Sequence, residues 1–97
     1  MTERIRIDKW LWHARFYRSR VQAQAAAASG LIRLNGARVQ KASAGVQPGD
    51  ILTVPHGREI LAVRIEAVAE RRGGAPEARK LYSVVDGSVL DPAAAAS

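Results

Sequence analysis

The dipeptide Asn35-Gly36 stands between two short β-prone stretches, Leu31–Leu34 and Ala37–Gln40. Both residues accept positive φ, which a two-residue type I′ turn demands, so the pair is the strongest short-range hairpin signal a sequence carries. It sets a tight antiparallel hairpin near the middle of the chain, and the other elements arrange themselves around it. Upstream, Ile7, Trp10, Leu11, Ala14 and Tyr17 recur at helical spacing, which predicts a first helix from Arg6 or Asp8 to Arg18. Lys9, His13 and Arg15 fall off that stripe, and Trp12 and Phe16 form a second apolar pair almost opposite it. Ser19 and Gln22 stand three apart, as in a capping box, and Gly30 suits a left-handed C-terminal cap. Together they predict a second, short helix whose alanines (Ala23, Ala25, Ala26, Ala27, Ala28) permit close helix approach.

Downstream, Pro48-Gly49 marks a turn, followed by an expected strand over 51–55 and a second turn over 56–58, with His56 a turn residue. Alternation of Leu61, Val63, Ile65 and Ala67 predicts a longer strand from Glu59 to about Ala69. The stretch APEARKLY, with Pro76 near its first position, predicts one or two helical turns. The expected fold class is α+β: two short N-terminal helices packed on a small antiparallel or mixed sheet, with a short C-terminal helix. The expected organisation is one domain over 1–69, with its core motif over about 4–54, a short helical segment over 70–85 and a flexible tail over 86–97.

The formal net charge is +6, and it is lopsided. Residues 1–50 carry nine bases against three acids, and residues 51–97 carry six against six. A basic surface kept only for solubility predicts no such asymmetry; a polyanion-binding face does. The chain has no cysteine, which excludes disulfides, thiolate metal sites and cysteine nucleophiles. Two histidines, His13 and His56, and scattered carboxylates make no triad or metal cluster, so neither catalysis, metal, cofactor nor small-molecule substrate is expected. His13, on a basic helix, is expected to face solvent or phosphate. The charged N-terminus, without an apolar run, predicts a cytoplasmic protein, and membrane binding is set aside because a small core needs the apolar stripe. Arg15, Arg18 and Arg20 lie about the Ser19 cap, and a helix N-terminus flanked by arginines suits phosphate.

The stretch RIDKWLWHARFYRSRVQAQAAAASGLIRLNG resembles the S4-type RNA-binding domain. That family's signature is Arg-hydrophobic-Asp, a leucine three on, Ser/Thr-Arg opening a second helix, then a glycine and an Asn-Gly hairpin. Arg6, Asp8, Leu11, Ser19, Arg20, Ala23, Gly30, Asn35 and Gly36 fit it. The wording DKWLW, ARFY and SR, with RR, A, EA and LY further on, is similar to a narrower branch, the ribosome-associated heat shock protein 15 family, as far as about Tyr82. Two departures stand out: Arg15 occupies a position where many S4-type members have glycine, and an alanine-rich stretch follows where the heat-shock branch continues into a basic extension.

The resemblance implies a non-catalytic protein that grips structured RNA by backbone and shape, and a monomer is expected. Its implied partner is ribosomal RNA of the large subunit, in a heat-shock or stalled-ribosome role. A general accessory protein for transfer or messenger RNA is the alternative, and a DNA-binding helix-turn-helix protein a more distant one. The residues expected at RNA are Arg6, Lys9, Arg15, Arg18, Ser19, Arg20, Arg33, Asn35, Arg38 and Lys41. Trp10, Leu11 and Tyr17 are expected in the core, Phe16 against the sheet or last helix, and Trp12 has no assigned place.

Overall fold

The computed structural model describes residues 4–56 and 58–85, apart from the His56 side chain; the tail expected over 86–97 lies outside them. The elements in order are β1 (Ile5–Arg6), α1 (Ile7–His13), α2 (Arg20–Ala28), β2 (Arg33–Leu34), β3 (Ala37–Arg38), β4 (Gly45–Val46), β5 (Ile51–His56), β6 (Glu59–Ile65), α3 (Ala75–Arg79) and β7 (Tyr82–Val84). Five strands form one sheet in the order β3-β2-β5-β6-β7, with every neighbouring pair antiparallel. A second, two-stranded ladder joins β1 to β4, Ile5 opposite Val46. The fold class is α+β as expected.

The hairpin forms where Asn35-Gly36 places it, with φ of 52° and 89°, and the register sets Leu34 opposite Ala37. Asn35 also fastens the hairpin to β5: its Nδ2 donates to Asp50 Oδ1 at 3.1 Å, and its Oδ1 accepts from Ile51 N at 2.8 Å. At the start of α2 the Ser19 hydroxyl accepts from Gln22 N at 3.1 Å. The Gln22 side chain returns not to Ser19 but to Arg18 N, at 3.2 Å, one residue short of a reciprocal capping box.

The first helix is shorter than its apolar stripe suggests. It ends at His13, not Arg18, because Arg15 adopts φ 65°. Arg15 N donates to Trp12 O at 3.1 Å and Phe16 N to Leu11 O at 3.0 Å. These are the two bonds of a Schellman motif, with arginine in the left-handed position that glycine usually fills. The apolar contact that accompanies such a cap is present as Phe16 against Trp10, ring centroids 5.9 Å apart.

Ile7, Trp10 and Leu11 of α1, its C-cap Ala14, and Ala23 and Ala27 of α2 are buried together with Ile32, Leu52, Val54, Val63 and Ile65. The helix pair therefore lies on one face of the sheet, and the small alanines bring α2 close to α1. The Trp10 indole N–H, which burial would otherwise leave unsatisfied, donates to Ala67 O at 3.0 Å. Phe16 packs on Tyr82 of β7 at 4.9 Å, as expected of it, and Tyr17 is half-buried against the core. The segment 70–85 holds more than a helix: after α3 the chain adds β7 to the main sheet, with Val84 opposite Val63, and Leu81 joins the core. The long strand stops at Ile65 rather than Ala69, since Glu66 N and Ala67 N turn to Leu81 O.

A Cβ added at Gly36 would meet nothing within 4 Å, so a substitution there tests backbone conformation alone. Gly36→Val is expected to lower stability by about 1–3 kcal/mol, with Gly36→Asn costing less. Thermal melts of the two variants check this, and equal midpoints would rule out the type I′ turn.

Candidate nucleic-acid interface

Asp8 lies in the first turn of α1 with no solvent exposure. Its carboxylate accepts Arg6 Nε at 3.1 Å and Arg6 Nη2 at 3.0 Å, the bidentate geometry in which guanidinium and carboxylate match best. Oδ1 also accepts Lys9 N at 2.7 Å, which gives the helix start the cap that Arg6 lacks. Arg20 Nη2 approaches the same oxygen at 4.0 Å from the first position of α2. The Arg6 and Arg20 side chains stay 48% and 38% exposed, so the guanidiniums flank a buried acid while still facing outward. The Arg20 Nε is buried and without a partner.

Arg18 is exposed beside this cluster, and the Ser19 hydroxyl is committed to its cap. On the hairpin, Arg33 and Arg38 are exposed and stand directly opposite each other across the β2–β3 register. Like charges so placed repel, and a bound polyanion relieves that cost. The aliphatic part of Arg38 lies along Gly30, where its Cδ would be 3.3 Å from an added Cβ. Lys41 is exposed and lines, with Arg38, a shallow groove next to the hairpin. Asn35 is on the same turn, but its side-chain amide is occupied by Asp50 and Ile51. Lys9 is half-buried and shares a separate groove with Arg4 and Glu70.

Arg15 sits apart from these residues, at the far end of α1, with Nε donating to Gly73 O at 2.9 Å. Beside it is a feature the sequence did not disclose. Arg72 Nε donates to Trp12 O at 3.0 Å while its guanidinium lies over the Trp12 ring, 5.5 Å from the centroid. Trp12 is thus a half-buried platform for arginine, a cation–π contact. The Arg71-Arg72 doublet was its only local trace.

His13 corrects the sequence reading, for it is 1% exposed rather than facing solvent or phosphate. The reason is tertiary: the segment after β6 returns over the end of α1, where Ala69 to Gly74 and His13 line one cleft. Burial holds its pKa below the ordinary 6.5; Lys9, Arg20 and Arg72 push the same way, and the Ala69 backbone opposes them. The Nδ1 atom has no partner. Among the described residues, no group of three or more His, Cys, Asp or Glu side chains is arranged to hold a metal ion, and no helix is long and apolar enough to cross a membrane.

A pair of short helices with arginines at their junction, backed by an Asn-Gly hairpin, is the arrangement of an S4 domain, and the S4 domain family model matches residues 5–52. Within that class the chain belongs to the heat shock protein 15 family. It is 42% identical over 85 residues to a heat shock protein 15 homolog of Haemophilus influenzae, covering 88% of this chain and 64% of the relative. Its structure matches that of Vibrio cholerae heat shock protein 15, described as trimeric, with a TM-score of 0.82 and 39% identity over 90% of this chain and 87% of the other. It is also 33% identical over 81 residues to the RQC P-site tRNA stabilizing factor of Bacillus subtilis, covering 84% of this chain and 92% of that protein. The chain spans under two thirds of the length of the Haemophilus influenzae relative.

The sign of the His13 shift sets a pH dependence. With a folded pKa below 6.5, the unfolded chain binds more protons in the window between the two values. Stability contributed by neutral His13 is therefore complete above pH 6.5 and is lost as pH falls through the folded pKa. Melting midpoints between about pH 5 and about pH 7.5 should fall toward acid more steeply in the native chain than in His13→Gln. Equal slopes would assign the effect to other groups.

Proposed function

We propose that this chain is a non-catalytic RNA-binding protein that grips structured RNA by phosphate backbone and shape. The surface is formed by Arg6, Arg18 and Arg20 about the start of α2 and by Arg33, Arg38 and Lys41 on and beside the hairpin. The observation that carries this reading is the concentration of exposed guanidiniums on the S4 motif, including two held directly opposite each other, while its acids are engaged, Asp8 by Arg6 and Asp50 by Asn35. Ribosomal RNA of the large subunit, in rescue of stalled ribosomes in the cytoplasm, is the partner that the resemblance to the ribosome-associated heat shock protein 15 family implies. Transfer RNA is a second reading, favoured by the likeness to the RQC P-site tRNA stabilizing factor of Bacillus subtilis. A helix-turn-helix reading on DNA is disfavoured because α2 ends at Ala28 and the hairpin strand β2 begins at Arg33. All the residues of the proposed surface belong to one chain, which supports a monomer as the state in which it contacts RNA; the Vibrio cholerae relative is described as trimeric.

Arg18 and Arg33 are exposed and in no ion pair among the described residues, which makes them cleaner probes than Arg20 with its tie to Asp8. Arg18→Ala with Arg33→Ala is expected to weaken binding to a folded stem-loop about tenfold or more, while stability moves by under ~0.5 kcal/mol. Gel-shift titration of the folded double variant checks this; unchanged affinity would remove these residues from the interface. With roughly five phosphates engaged, the log–log slope of the binding constant against salt should be about −3.5 to −4.5. A slope near −1 with preference for unstructured RNA would favour aromatic stacking instead. Sucrose-gradient sedimentation with ribosomal subunits, in the presence and absence of excess transfer RNA, separates the two partners.

A further inference from the structure

The far end of α1 carries a second group of arginines that the surface above does not include. A cleft of about 750 Å³ opens between that end, residues 69–74 and α3, with Arg15, Arg71, Arg72, Glu70 and Glu77 on its walls and His13 on its floor. This volume lies within the usual range for small-ligand sites. Two of the guanidiniums are fixed from behind. Arg15 Nε is held by Gly73 O at 2.9 Å, and Arg72 Nε by Trp12 O at 3.0 Å with the Trp12 ring beneath it. In both, a carbonyl takes the Nε hydrogen and leaves the terminal amino groups free of any hydrogen bond or ion pair among the described residues. An arginine already ordered loses less freedom when it engages a phosphate.

Arg15 reaches this place at a conformational cost, since its φ of 65° is one that side chains other than glycine avoid. A glycine would relax the turn and empty one wall of the cleft. No ion pair within 4.0 Å joins the three arginines to Glu70 or Glu77. The carboxylates disfavour a bare dianion and suit a ligand that brings hydrogen-bond donors beside its phosphate. A nucleotide does so, through ribose hydroxyls or base amino groups.

We propose that this cleft seats one nucleotide of the bound RNA, its phosphate on Arg15, Arg71 and Arg72 and its sugar or base donors toward Glu70 and Glu77. The inference rests on the RNA-binding reading and adds a contact outside the α1–α2 junction and the hairpin.

The test uses Arg15→Gly with Arg71→Gln in the full chain. The first change relaxes a positive φ and the second alters an exposed side chain, so the protein is expected to fold; Arg72 is kept because it supports Trp12. Affinity for a folded RNA should drop about tenfold, and the log–log salt slope should become shallower by about 0.7–0.9. If both are unchanged while Arg18→Ala with Arg33→Ala still weakens binding, the cleft inference is overturned and the RNA reading stands. If the native chain binds no RNA, both fall. A parallel arm titrates adenosine 5′-monophosphate while following tryptophan fluorescence, to which Trp12 under Arg72 contributes. A saturable change lost in the double variant, with RNA affinity unaffected, would make the cleft a free-nucleotide site and also overturn the proposal.

Discussion

A carboxylate wholly removed from water needs partners, and at Asp8 the partners come from three successive pieces of chain. Arg6 precedes the helix, the Lys9 amide belongs to it, and Arg20 opens the next helix. Stripping a buried charge of its partner costs on the order of 3–5 kcal/mol, so this one group restrains where β1 and α2 stand relative to α1. Arginine suits the task because its planar charge is always present and is weakly hydrated, and it can face an acid on one side and solvent on the other. The residues that stabilise the helix junction are therefore the ones that display charge there. Structure and recognition share the same side chains, so Arg20 cannot be removed as a purely surface change.

Local signals were legible in the sequence. Asn35-Gly36 gave its turn because both residues fit φ values that few others tolerate, and Ser19 with Gln22 marked a helix start through side chains that reach only a few bonds. What escaped depends on contacts between distant segments. The apolar stripe ran on to Tyr17, yet the helix stopped at His13 because of a cap whose usual glycine is replaced by arginine. Strands β1 and β4 have two residues each and β7 has three, too short for alternation to register. His13 read as polar and outward because its cover is supplied by residue 69. The charge asymmetry pointed to the arginines of the first half, whereas the role of Arg72 needed Trp12 to be brought beside it.

The two halves also divide the electrostatic labour. Excess positive charge sits on the helices and hairpin, while the second half carries equal numbers of acids and bases. Some of those acids are engaged locally, as when Glu66 accepts the Ser83 hydroxyl at 2.9 Å across the β6–β7 edge. A molecule whose excess charge lies on part of its surface turns in the field of a polyanion before contact, so orientation begins during diffusion.

The bond from the Trp10 indole to Ala67 spans 57 residues, and Leu81 closes the same core. Translation proceeds at roughly 5–20 residues per second, so several seconds pass between synthesis of the first helix and arrival of its support. Throughout that interval the arginine-rich half of the chain leaves the exit tunnel without the neutral half that completes its interior. The order of synthesis runs opposite to the order of need: the part that carries the charge comes first, and the part that makes it a folded surface comes last.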